Sequence, residues 1–138
     1  MTRIAIVAAL AAAGAALALT AVAGGRTNAT TLRATVGPGF TITLTKNGRR
    51  VTRVAPGLYR IVVSDRSAIH NFKLEKSHGG AFERTVTSVP FSGVRTVKVR
   101  LTAGNWEYYC APHERTMRGH FTVGTGPAPT TTDDHSDD

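Results

Sequence analysis

Short runs of alternating apolar and polar residues, separated by turns rich in glycine and proline, cover most of this chain and leave no stretch with helical spacing. The runs are FTITL at residues 40–44, GLYRIVV at 57–63, NFKLE at 71–75, residues 82–89, VRTVKVRL at 94–101, WEYYC at 106–110 and GHFTV at 119–123. Each is enriched in β-branched and aromatic side chains, which suit a half-buried pleated surface. Turn residues stand between them at Gly37-Pro38-Gly39, Asn47-Gly48, Pro56-Gly57, Gly79-Gly80, Ser92-Gly93 and Ala103-Gly104-Asn105. Strands this short and this regularly punctuated predict an all-β fold, a two-sheet Greek-key sandwich of about seven or eight strands.

The ends of the chain read differently. A basic start at Arg3 leads into an apolar run over residues 4–22, and the small residues Ala21, Val22 and Ala23 close it. That is the grammar of a secretory signal peptide, with cleavage expected after Ala23. A retained membrane span is the alternative, since about 20 apolar residues can cross a bilayer; the alanine-rich composition and the Ala-x-Ala end favour removal. Residues 24–31 read as an N-terminal extension, 32–123 as one domain, and 124–138 as a solvated acidic tail with no apolar periodicity. The expected location is outside the cytoplasm: periplasm, cell envelope or medium.

Residues 24–132 hold 16 Lys and Arg against 5 Asp and Glu, and the tail adds four Asp. A body this basic can attract an acidic protein or an anionic surface. Nucleic acid is not expected for an exported chain without a binding motif.

Chemistry concentrates in CAPHERTM, residues 110–117, which holds the only cysteine and the only methionine besides Met1, with a histidine between them. A lone thiol in an oxidising compartment is exposed to oxidation unless it is buried or bonded to a metal. Cys110 ends a strand, and Pro112 stiffens a loop that brings His113 and Met117 to the same end. Thiolate, imidazole and thioether form a soft ligand set that suits copper, with the thioether as a weak axial ligand. A second imidazole completes a trigonal plane, and His70, just ahead of the strand at 71–75, is the candidate.

In His70-Asn71 and in WEYYCAPHERTMRGHFTV, residues 106–123, the chain resembles the cupredoxins, small blue-copper proteins such as plastocyanin, amicyanin and pseudoazurin. The resemblance covers about residues 32–123. It implies one copper ion with His70, Cys110 and His113 as equatorial ligands and Met117 axial, and gives Asn71 the role of bracing the ligand loop and hydrogen-bonding near the thiolate. It also implies electron transfer rather than catalysis, with the edge of His113 as the electron exit and Ala111 and Pro112 in the apolar patch around it. The partner implied is a redox protein, met by a monomer, and the basic body suits an acidic one. Two departures stand out: three residues separate His113 from Met117, and Ile69 occupies a position where proline is common.

The other histidines read as bystanders: His78 in a turn, His120 facing away from the site on its strand, and His135 in the tail. Trp106, Tyr108 and Tyr109 read as core and strand surface. An enzyme is not expected, because the His-x-His pairs of multicopper oxidases are missing and the expected mature start, Gly24, is not a histidine. Two other readings remain: a protein that buffers or delivers copper, and a cupredoxin-like structural module that would not need all four ligands.

Overall fold

The computed structural model describes residues 28–77 and 82–126. The expected signal peptide, the turn expected around His78, and the expected tail from residue 127 onward, including His135, lie outside the described residues.

Ten strands follow in order: β1 (Thr30–Val36), β2 (Ile42–Lys46), β3 (Arg49–Arg50), β4 (Arg53–Val54), β5 (Gly57–Asp65), β6 (Phe72–Ser77), β7 (Glu83–Thr87), β8 (Gly93–Leu101), β9 (Gly104–Tyr109) and β10 (Arg118–Val123). Among the described residues a single 3₁₀ turn, Ala111–His113, interrupts them. β3 and β4 are two residues each, which leaves eight strands of ordinary length, in line with the seven or eight expected. They form two five-stranded sheets, β3-β2-β1-β5-β8 and β4-β10-β9-β6-β7. The chain changes sheet five times, from β3 to β4, β4 to β5, β5 to β6, β7 to β8 and β8 to β9, so each sheet is stitched together by strands distant in sequence.

Alternation explains the core. Leu32, Ala34 and Val36 on β1, Tyr59, Ile61 and Val63 on β5, Phe72 and Leu74 on β6, Trp106 and Tyr108 on β9, and Phe121 and Val123 on β10 are all buried and meet in one cluster. Packing is tight enough to dictate a glycine. Gly119 lies opposite Tyr108 in the β9–β10 ladder, and a Cβ there would overlap the phenol ring.

Sequence alternation placed a strand at residues 40–44, but the strand begins at Ile42 and Phe40 stays outside it, exposed. Backbone hydrogen bonds give the reason. The Gly37 N–H donates to the Thr41 carbonyl and the Thr41 hydroxyl donates to the Pro38 carbonyl, closing a turn through residue 41. Four connections gather at this end of the sandwich: 37–41, 66–71, 88–92 and 110–117.

Candidate metal centre

Three of those connections supply the site. Cys110 follows β9 directly, and its backbone N–H donates to the Met117 carbonyl at 3.0 Å, extending the ladder one pair beyond Tyr109–Arg118. The intervening loop folds on itself: the His113 N–H donates to the Cys110 carbonyl, and the N–H groups of Thr116 and Met117 donate to the His113 carbonyl. His113 is thereby held three residues from Cys110 on a short turn, with Pro112 inside it. His70 comes from the β5–β6 connection, where its N–H donates to the Ser67 carbonyl.

The side chains converge. His70 Nδ1 and His113 Nδ1 are 3.0 Å apart, and Cys110 Sγ lies 3.8 Å from the first and 3.6 Å from the second. His70 and Cys110 are fully buried and His113 is half-buried. Nε2 of His70 lies 2.8 Å from the Gly39 carbonyl. A carbonyl only accepts, so Nε2 carries the proton and Nδ1 presents its lone pair to the other two atoms.

The donor set fits a metal ion. A triangle with these edges has a point about 2.0 Å from all three corners, the usual length of an imidazole–metal bond and slightly short of the about 2.3 Å of a thiolate–metal bond. Two imidazole nitrogens and a sulfur, two of the three donors buried, present converging lone pairs that a cation neutralises. Two imidazoles with one thiolate in a trigonal arrangement are the equatorial set of a copper site.

Surrounding groups hold the triangle in place. The Asn71 N–H points at Cys110 Sγ at 3.4 Å, and the Asn71 side-chain oxygen accepts from the Ala111 N–H at 2.8 Å. One residue thus ties the His70 connection to the Cys110 loop. Next along the chain, the Phe72 N–H donates to the Thr87 hydroxyl at 2.9 Å, which anchors the start of β6. Met117 is fully buried in the same core cluster as Cys110.

Two contributors escaped sequence reasoning. Gly39 fixes the His70 tautomer through its carbonyl, and Phe40 packs edge-on against both imidazoles, with ring centroids 5.5 Å from His70 and 4.9 Å from His113. A carbonyl leaves no mark in a sequence, and Phe40 falls within an alternating run. His120 behaves as expected, pointing outward with Nδ1 3.6 Å from a Glu107 carboxylate oxygen.

Neither a protein-family model nor a curated protein sequence matches the chain. Among solved structures, reduced auracyanin from Roseiflexus castenholzii aligns with a TM-score of 0.54 at 14% identity, over 70% of this chain and 98% of that one. The fold is that of the cupredoxins. Reduced rusticyanin aligns with a TM-score of 0.49 at 17% identity, over 70% of this chain and 81% of its own, and a reduced amicyanin variant with 0.47 at 17%, over 71% and 86%. Within this cupredoxin fold the His70–Cys110–His113 cluster occupies the loop end of the sandwich, where both sheets contribute connections.

Proposed function

We propose that the protein is an exported blue-copper electron carrier that holds one copper ion through His70, Cys110 and His113, with Met117 as the axial ligand. The observation that carries this reading is the donor triangle: two imidazole nitrogens and one sulfur within 3.8 Å of one another, two of the three donors fully buried. Copper held there would supply a one-electron Cu(II)/Cu(I) couple.

The chain's own groups suit a carrier. Thr116, Met117 and Cys110 lock the ligand loop through backbone hydrogen bonds, Asn71 ties it to the neighbouring connection, and Gly39 holds His70 from behind. Ligands fixed in this way do not rearrange when the metal's charge changes, which keeps electron exchange fast. Half-buried His113 is the most accessible donor. Exposed Phe40, Ile69, Ala111 and Pro112 surround that end with apolar surface, a landing area for a redox partner protein. Export follows from the signal-peptide grammar of residues 1–23.

The test sets the carrier against copper delivery. Reduced, copper-loaded protein is mixed with a Cu(I) chelator of moderate affinity and, separately, with an oxidant. Fast oxidation with slow metal loss supports a carrier; rapid surrender of Cu(I) with sluggish oxidation means delivery.

A further inference from the structure

Charge is divided sharply between the two sheets. The ion pairs among the described residues, Lys73–Glu83, Arg118–Glu107, Arg118–Glu114 and His120–Glu107, all lie on the β4-β10-β9-β6-β7 sheet or its ligand loop. Among the described residues, the cations of the other sheet have no carboxylate partner. Alternation along β1, β5 and β8 turns Leu32, Ile61 and Val99 inward, so Arg33, Arg60, Lys98 and Arg100 project from the outer face, all exposed.

Register sets these four close together. Arg60 lies opposite Lys98, Leu58 opposite Arg100, and β1 runs alongside with Thr31 beside Arg60 and Arg33 beside Val62. Neighbouring strands are about 4.8 Å apart and alternate residues about 6.6 Å, so the cations form a compact lattice. Arg60 Nε donates to the Thr31 hydroxyl at 3.3 Å, which lays its side chain across β1. Among the described residues the only carboxylate in these strands is Asp65, which is buried at the far end of β5. Like charges directly opposed across a ladder cost stability, so the Arg60–Lys98 pair works against the fold.

Beside Arg100 the face dips into a hollow of about 360 Å³ lined by Asn28, Ala29, Thr30, Leu58 and Arg100. A guanidinium, a hydroxyl and an amide side chain there offer donors to an anionic group, and Leu58 offers an apolar wall.

We propose that this face docks on an anionic phospholipid bilayer, with a headgroup phosphate seated against Arg100. Position separates it from a redox contact. Arg60 lies about 17 Å along β5 from Asp65, and it is the Asp65 end that leads to His70. A partner seated here would be too remote from the donor triangle to exchange electrons well. Nucleic acid would want aromatic side chains interleaved with the cations, and the outward positions of β1, β5 and β8 carry none. With this sheet against the bilayer, the His113 end points along the membrane plane and stays open to partners on that surface.

Sedimentation with vesicles tests the proposal. Purified protein is mixed with phosphatidylcholine vesicles, with and without phosphatidylglycerol, and with soluble polyglutamate. Binding is expected only with phosphatidylglycerol and should weaken as salt rises. Arg60→Gln/Arg100→Gln should reduce that binding about 25-fold, about fivefold for each charge removed. Arg60→Lys/Arg100→Lys should retain most of it. Lys73→Gln/Arg118→Gln, which removes two charges from the opposite sheet, should cost less than fivefold. Equal losses from the two glutamine pairs would reduce the effect to net charge and overturn the proposal. So would equal binding to both kinds of vesicle, or binding to polyglutamate with none to phosphatidylglycerol.

Discussion

The Gly39 carbonyl lies 2.8 Å from Nε2 of His70, and through that one hydrogen bond the β1–β2 turn decides which imidazole nitrogen faces Cys110 and His113. The same turn delivers Phe40 to both rings. Phe40 is 59% exposed, a poor return in burial for a phenylalanine, so its contribution lies in the imidazoles it touches.

Replacing it should therefore leave the fold nearly intact. Phe40→Ala is expected to lower stability by about 0.5 kcal/mol or less, as exposed positions do. The His70 and His113 ring protons should still shift in the NMR spectrum of the metal-free protein, and a chelator should strip copper from the loaded variant several times faster. Unchanged ring shifts and unchanged stripping would make Phe40 a bystander.

Asn71 bridges two connections with its side-chain oxygen on the Ala111 N–H. Asn71→Ala removes a buried acceptor and should lower unfolding free energy by about 1–3 kcal/mol, read from urea denaturation of the metal-free protein. Asn71→Asp keeps an acceptor at that spot and should recover part of the loss.

Met117 is fully buried, so its two roles must be separated by substitutions of different size. Met117→Leu conserves volume and should cost less than about 1.5 kcal/mol, whereas Met117→Ala should cost about 2–5 kcal/mol. If Met117 is the axial ligand, the leucine variant keeps the blue band and its reduction potential rises, because losing a weak donor disfavours Cu(II). A potential unchanged by voltammetry would leave Met117 a core residue only.

Alkaline pH should loosen the sandwich. Burial raises the Tyr108 pKa above its ordinary 10.0, partly opposed by nearby Arg50 and a hydrogen bond with the Leu44 backbone. The phenol proton thus leaves the unfolded chain at lower pH than the folded one, so stability is fully present below pH 10 and falls as pH rises toward the folded value. Burial raises Tyr109 and Tyr59 in the same direction. Melting temperature followed from neutral to strongly alkaline pH should show this decline, and Tyr108→Phe should make it shallower.

Much of this was legible in the sequence, for identifiable reasons. Period-two alternation marked the long strands because Ile61, Val63, Leu74 and Phe121 had to face one core. The meeting of Cys110 with His113 and His70 was legible because a lone thiol three residues from a histidine constrains chemistry as well as structure. β3 and β4 carry too few residues to show a period, and β1, TTLRATV, was passed over although its buried positions alternate. Pairing was out of reach: β1 lies parallel to β5 and antiparallel to β2, and no local pattern encodes that choice. The roles of Gly39 and Phe40 depend on where a turn closes, which rests on the Gly37 and Thr41 hydrogen bonds rather than on residue type.

The central claim is that Cys110 Sγ and the two Nδ1 atoms, at most 3.8 Å apart, bind one copper ion. The most direct measurement is the visible absorption spectrum of the protein titrated with Cu(II), taken for the native chain and for Cys110→Ser. The native protein should develop an intense red-region band from thiolate-to-copper charge transfer that saturates at one copper per chain, and the serine variant should stay colourless. No such band in the native protein, or the same band in Cys110→Ser, would contradict the account.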